Sequence, residues 1–182
     1  MLCIGICQTQ SDWIARVLCD ALTNFGIPVI YCDGKPLDLP NHTDDATIAI
    51  FAGAHLAESD VPFDLGLFAP EYNANSVSFS AKIVVAPDTL NPSLIQTCAL
   101  HHVVTYGLCR KNTVTVSSLI DGKLVVSIQR DIVTLSDAHV DEQEFHVGLN
   151  NPDAADAVLA VVTSLLLLDV SIEQISALTF LA

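Results

Sequence analysis

Positive charge is scarce in this sequence. Lys and Arg together number 7 in 182 residues, against 21 Asp and Glu, for a formal net charge of −14. They are scattered along the chain, so there is no basic stripe to release counterions from a nucleic-acid backbone or to gather at an anionic bilayer. Nucleic acid and membrane are therefore excluded as expected partners. No positively charged segment precedes the first apolar stretch. The longest apolar run, Ala157 to Leu168, is too short to cross about 30 Å of hydrocarbon. The expected location is the cytoplasm. Paired cysteine motifs are lacking too: the six cysteines, Cys3, Cys7, Cys19, Cys32, Cys98 and Cys109, form no C-x-x-C and mostly sit inside apolar runs, as buried free thiols do. Internal repeats, linkers and low-complexity stretches are absent, so residues 1–182 read as one domain.

What the chain has instead is apolar material. Hydrophobic residues make up 51% of it and charged residues only 15%, a balance suited to a largely parallel sheet covered by apolar helices. Leu2 to Cys7 reads as a short buried strand. Ser11 then caps a helix whose apolar positions Trp13, Ile14, Val17, Leu18, Ala21, Leu22 and Phe25 recur at helical spacing, with Gly26 ending it. Val29 to Cys32, opened by Pro28 and closed by Asp33-Gly34, completes a strand-helix-strand unit of the right-handed, parallel kind.

Central strands are expected at Thr47 to Ala52, Phe63 to Phe68 and Lys82 to Ala86. A helix follows from Asn91-Pro92 to about Leu100, and then a strand from His102 to Tyr106. Thr113 to Ile120 and Lys123 to Gln129 flank Asp121-Gly122, a dipeptide suited to a type I′ turn, which predicts an antiparallel hairpin. Ile132 to Leu135 and Glu144 to Leu149 read as short strands. Asn151-Pro152 opens a helix through about Leu168 that is apolar nearly all round, and Ser171 with Gln174 predicts a capping box for a last short helix. The predicted fold class is α/β, a mostly parallel sheet flanked by helices with a small antiparallel hairpin.

The segment Ile4-Gly5-Ile6-Cys7-Gln8-Thr9-Gln10-Ser11-Asp12-Trp13 has the strand-turn-helix layout of a phosphate loop. It resembles the ATP-binding start of Mur ligases, the ATP-dependent amide-forming enzymes of peptidoglycan synthesis, where the stretch reads roughly I-T-G-T-N-G-K-T-T. Val103-Val104-Thr105-Tyr106-Gly107 resembles the V-I-T-Y-G strand of their central domain. Pro152 to Ala182 resembles the alanine-rich helix and the tail that follow it in that family. The resemblance covers about Leu2 to Gly34 and His102 to Ala182, and it implies the P-loop fold of the Mur central domain.

Across the phosphate loop itself, Cys7, Gln8, Thr9, Gln10, Ser11, Asp12 and Trp13 occupy the T-G-T-N-G-K-T places, and only Thr9 matches. A phosphate loop uses glycines so that backbone N–H groups can curl around the phosphates, a Lys to neutralise them, and a hydroxyl to hold magnesium. Here Gln8 and Ser11 stand in the glycine places, Asp12 in the lysine place and Trp13 in the hydroxyl place. Ser11 as cap and Asp12 as partner of the helix dipole are expected to satisfy the helix start without a ligand.

No magnesium ligands or modified lysine of the family can be assigned in the middle segment, where Lys82 reads as the start of a strand. ATP-dependent ligase activity is therefore not expected, and no cofactor, catalytic residue or metal site is assigned. Asp137, His139, Asp141, Glu142, Glu144 and His146 are rich in metal-ligand atoms, but their spacing matches no metal motif and suits an acidic solvated loop. The expected role is binding, to a protein partner or to a second copy. A small-molecule site in the cleft at the carboxyl ends of the strands, or an unrelated chemistry around Glu71 to Ser80, are the alternatives.

Overall fold

The computed structural model of the chain describes residues 1–9, 11–32, 47–58, 61–72, 80–91 and 99–181. Its centre is one sheet of 10 strands in the order β12-β11-β8-β7-β6-β5-β4-β1-β3-β2. The strands are β1 (Leu2–Cys7), β2 (Val29–Cys32), β3 (Ile48–Ala52), β4 (Pro62–Phe68), β5 (Ser80–Pro87), β6 (Ala99–Tyr106), β7 (Val114–Ile120), β8 (Lys123–Ile128), β11 (Gln143–Leu149) and β12 (Thr179–Phe180). A separate two-stranded ribbon is formed by β9 (Ile132–Val133) and β10 (His139–Val140). Neighbouring strands from β2 through β7 run parallel, β8 lies antiparallel between β7 and β11, and β12 is parallel to β11. The predicted α/β class is observed, and the predicted hairpin extends the parallel sheet as an antiparallel wing.

Local chemistry accounts for the main elements. Helix α1 (Trp13–Asn24) buries Ile14, Ala15, Leu18, Ala21 and Leu22, the stripe expected of an amphipathic helix, and Gly26 follows it at φ 77. The hairpin turn places Asp121 at φ 50 and Gly122 at φ 73, the left-handed pair that a type I′ turn demands. Asn151 accepts a hydrogen bond from the Asp153 N–H at 3.1 Å. A 3₁₀ turn (Pro152–Ala154) then leads into helix α2 (Ala155–Leu167). Helix α3 (Ile172–Ser176) has both bonds of the capping box between Ser171 and Gln174.

Helix α2 lies across β4 to β7 and packs against α1. Almost every residue of it is buried, including Thr163 and Ser164, whose hydroxyls donate to the carbonyls of Leu159 at 2.7 Å and Ala160 at 2.9 Å. Those bonds let polar side chains sit in an apolar layer at little cost.

Several boundaries differ from expectation. Strand β6 begins at Ala99, so Ala99 and Leu100 belong to a strand rather than to the end of a helix, because Ala99 joins the ladder opposite Ala81 of β5. The rest of that predicted helix, from Pro92 to Cys98, lies outside the described residues, as do Asp33-Gly34 and Asn73 to Phe79 of the middle loop. Strand β12 was not predicted. Its two residues pair with Gly148 and Leu149 of β11, a contact that no local pattern announces. Cys109 is exposed rather than buried, while Cys7 and Cys32 are buried; Cys98 lies outside the described residues. Burial, and next the Asp20 carboxylate, push the Cys19 thiol up to about 11, which makes it a poor nucleophile. No helix of the described chain is long and apolar enough to cross a membrane.

The burial of α2 sets a quantitative expectation. Leu159 is fully buried, and Leu159→Ala should cost about 2–5 kcal/mol of unfolding free energy through lost transfer energy and a residual cavity. Urea unfolding followed by circular dichroism measures this; a loss well under about 1 kcal/mol would contradict the packing described.

Candidate functional site

The turn that joins β1 to α1 lies at the carboxyl end of the sheet, where open α/β sheets bind their ligands. Strand β1 is central, paired with β3 on one side and β4 on the other, and it delivers Cys7 fully buried to the start of the turn. The Cys7 carbonyl accepts the Ala69 N–H at 3.0 Å, which ties the turn to the end of β4. Gln8 is buried, at 7% exposure, and its Oε1 has no hydrogen-bond partner. Thr9 is exposed, and Gln10 lies outside the described residues.

Ser11 lies one residue before the N-cap rather than at it, yet it bonds the helix start: its Oγ accepts the Trp13 N–H at 3.1 Å. Asp12 does something different from the predicted role. It stands at the N-cap position with φ −90 and ψ 9, and its side chain makes no hydrogen bond to the helix start. Its Oδ2 instead meets the Arg16 guanidinium at 2.6 Å, one helical turn on, in an exposed ion pair. The reason is geometric: with its main chain already near helical angles, Asp12 sits one turn before Arg16 on the helix surface. Asp12 and Arg16 thus pair with each other, and the Trp13 N–H is bonded to Ser11.

Around this turn the chain places more acid. A cavity of about 210 Å³ between the starts of α1 and α2 is lined by Ser11, Trp13, Ile14, Ala154 and Ala157, with Glu71 as its charged group. Beside it Tyr106 is fully buried and donates its hydroxyl to the Phe68 carbonyl at 2.7 Å. Burial, and then the nearby carboxylates of Asp156, Glu71 and Asp88, hold that phenol well above its ordinary range. Burial, and secondarily Asp88, also raise the Asp156 carboxyl. Asp88 accepts from Asn112 Nδ2 at 2.8 Å. The next residue in this corner, Gly107, has φ 144, and a Cβ there would stand 2.8 Å from the Asp88 carboxyl, so only glycine fits.

The remaining candidates fall elsewhere. Lys82 lies near the amino end of β5, away from the turn, and its Nζ meets Asp64 Oδ1 at 2.6 Å; the other Asp64 oxygen accepts the Cys3 N–H at 2.8 Å. That is a structural clamp between β5, β4 and β1. His139 belongs to the β9–β10 ribbon, whereas Glu144 and His146 belong to β11. Among the described residues, no three His, Cys, Asp or Glu side chains are grouped to hold a metal ion.

No protein-family model matches the sequence, and no curated protein matches it. Solved structures do match in three dimensions. MurF from Acinetobacter baumannii superposes with a TM-score of 0.62 at 11% identity, over 96% of this chain and 44% of that one. The fold is that of the Mur ligases. UDP-N-acetylmuramoyl-L-alanyl-D-glutamate--2,6-diaminopimelate ligase gives a TM-score of 0.64 at 10% identity, over 97% of this chain and 45% of that one. MurF ligase from Thermotoga maritima, solved in complex with ADP, gives 0.55 at 13% identity, over 99% and 49%. The chain thus spans less than half the length of these Mur ligases, and at such identities the likeness is one of fold.

The raised Asp156 carboxyl gives a pH prediction. A folded-state value above the unfolded one means that folding disfavours the charged form, so stability is lost as pH rises from the unfolded value, near 3.8, through the folded one. Asp156→Asn should therefore raise the melting temperature at pH 7, and the gain should vanish below about pH 3.5, where both states are protonated. Thermal melts across pH test this; a variant less stable than wild type at pH 7 would contradict it.

Proposed function

We propose that this chain is a non-catalytic Mur-ligase-like domain that has lost ATP binding and works by binding a protein partner or a second copy of itself. The observation that carries the reading is the start of α1. The hydrogen bond from Trp13 N–H to Ser11 and the ion pair between Asp12 and Arg16 occupy the places that would otherwise meet phosphate. The neighbouring carboxylates Glu71, Asp88 and Asp156 favour cations, so the corner that attracts a nucleotide in a phosphate-loop protein repels one here.

Isothermal titration with ATP and magnesium tests the loss of binding. The expected result is no saturable heat into the millimolar range, and micromolar affinity would falsify the reading. Light scattering at high concentration should show a dimer or larger assembly. A strict monomer removes the second copy as the partner.

A small-molecule role is the second reading, favoured by the cavity between Trp13, Glu71 and Ala154 at the carboxyl end of the sheet. Its aromatic and acidic lining suits a ligand without negative charge.

A further inference from the structure

The antiparallel wing carries a second polar centre, remote from the β1–α1 turn in sequence and in strand order. Register places Thr115 of β7 opposite Ser127 of β8, and Ser127 opposite Glu144 of β11, so the three residues form a polar row across one face of the wing. The alternate row, Val116, Val126 and Phe145, packs with the core. Polar side chains on a sheet face are ordinarily solvated. Thr115, however, is only 1% exposed and Ser127 only 3%.

A cavity of about 230 Å³ lies over this row, lined by Arg110 from the β6–β7 connection, Thr115, Val116, Ser117, Gln129 and Glu144. Three features point to a ligand rather than a filled surface. First, Thr115 Oγ1 is buried with no hydrogen-bond partner, a state that costs free energy unless something fills the site. Second, the ladder shifts register between Val116 and Ser118, leaving Ser117 bulged out of the pairing, and bulges of this kind commonly re-aim a side chain at a site. Third, Arg110 and Glu144 bring opposite charges to one cavity.

We propose that this cavity binds a small neutral polyhydroxylated ligand, of the size of a polyol or monosaccharide. The chemistry of the lining selects that class. Arg110 and Glu144 cancel in charge, so a net anion would meet the carboxylate and a net cation the guanidinium. Hydroxyls on Thr115 and Ser117 and the amide of Gln129 can both donate and accept, which matches the alternating capacity of adjacent ligand hydroxyls. Ser127 already accepts from Gln129 Nε2 at 2.6 Å and holds that amide in place. The volume corresponds to roughly eight water molecules at about 30 Å³ each, enough for a compact ligand.

Thr115 separates a binding role from a structural one. Exchanging an unpartnered buried hydroxyl for a methyl group of the same shape removes a penalty, so Thr115→Val should leave the melting temperature unchanged or raise it. The same change should weaken ligand binding by about 2- to 10-fold, and Arg110→Met, which removes a charged donor, by more than about 10-fold. The measurement is a titration of the full chain with glycerol, ribose, glucose and myo-inositol. Amide chemical shifts near residues 115–117, 127–129 and 144 report binding, with acetate and glycine betaine as charged and zwitterionic controls. Saturable shifts for a polyol, confined to those residues and reduced in both variants, are the expected result. The proposal is overturned by no saturable shift up to about 50 mM, by tighter binding of acetate or betaine than of every polyol, or by a Thr115→Val protein less stable than wild type.

Discussion

A parallel sheet exposes two apolar faces and must have them covered, and in this chain the cover over the middle of the sheet is helix α2. Its sequence, Ala155 to Leu167, is apolar nearly all round because it is enclosed nearly all round, by β4 to β7 beneath and α1 beside it. Even its two hydroxyl side chains are turned back onto carbonyls of their own helix. Once α2 is seated, its start and the start of α1 converge above the carboxyl ends of β1 and β4, and the corner between them is the natural site of the fold.

What fills that corner is set by the helix starts and the side chains beside them. A helix start presents unpaired N–H groups and the positive end of a dipole, and an anion is the usual answer. Here the answer is internal: Ser11 takes one N–H and Asp12 supplies a charge that Arg16 already neutralises. The carboxylates behind the turn then tilt the local field the other way, with Tyr106 and Asp156 both held toward their neutral forms. The fold shared with MurF thus holds, in this chain, a corner with Glu71, Asp88 and Asp156 around it.

Much of this was legible in the sequence wherever the signal was local. The stripe of α1, the Asp121-Gly122 turn and the Ser171 capping box each rest on residues within a few positions of one another, and each was observed. The Asp12–Arg16 pair was legible as well, as an acid and a base at i,i+4, but the reading of Asp12 as a dipole partner overlooked it. Features made by long-range pairing were not legible. Strand β12 exists because β11 offers it an edge, and the row of Thr115, Ser127 and Glu144 forms only when three strands take a particular register. The approach of Asp88 to Asp156 and the glycine that gives Asp88 room belong to the same class, although Gly107 directly after Tyr106 was the one local hint.

The central claim is that the start of α1 is satisfied by its own side chains and has no place for phosphate. The backbone amide of Trp13 reports on this directly, because its hydrogen bond to Ser11 must break before the N–H can serve a ligand. Titration of ATP with magnesium, followed through the Trp13 amide resonance, should leave that resonance in place up to millimolar nucleotide. A shift that saturates at micromolar ATP would contradict the account.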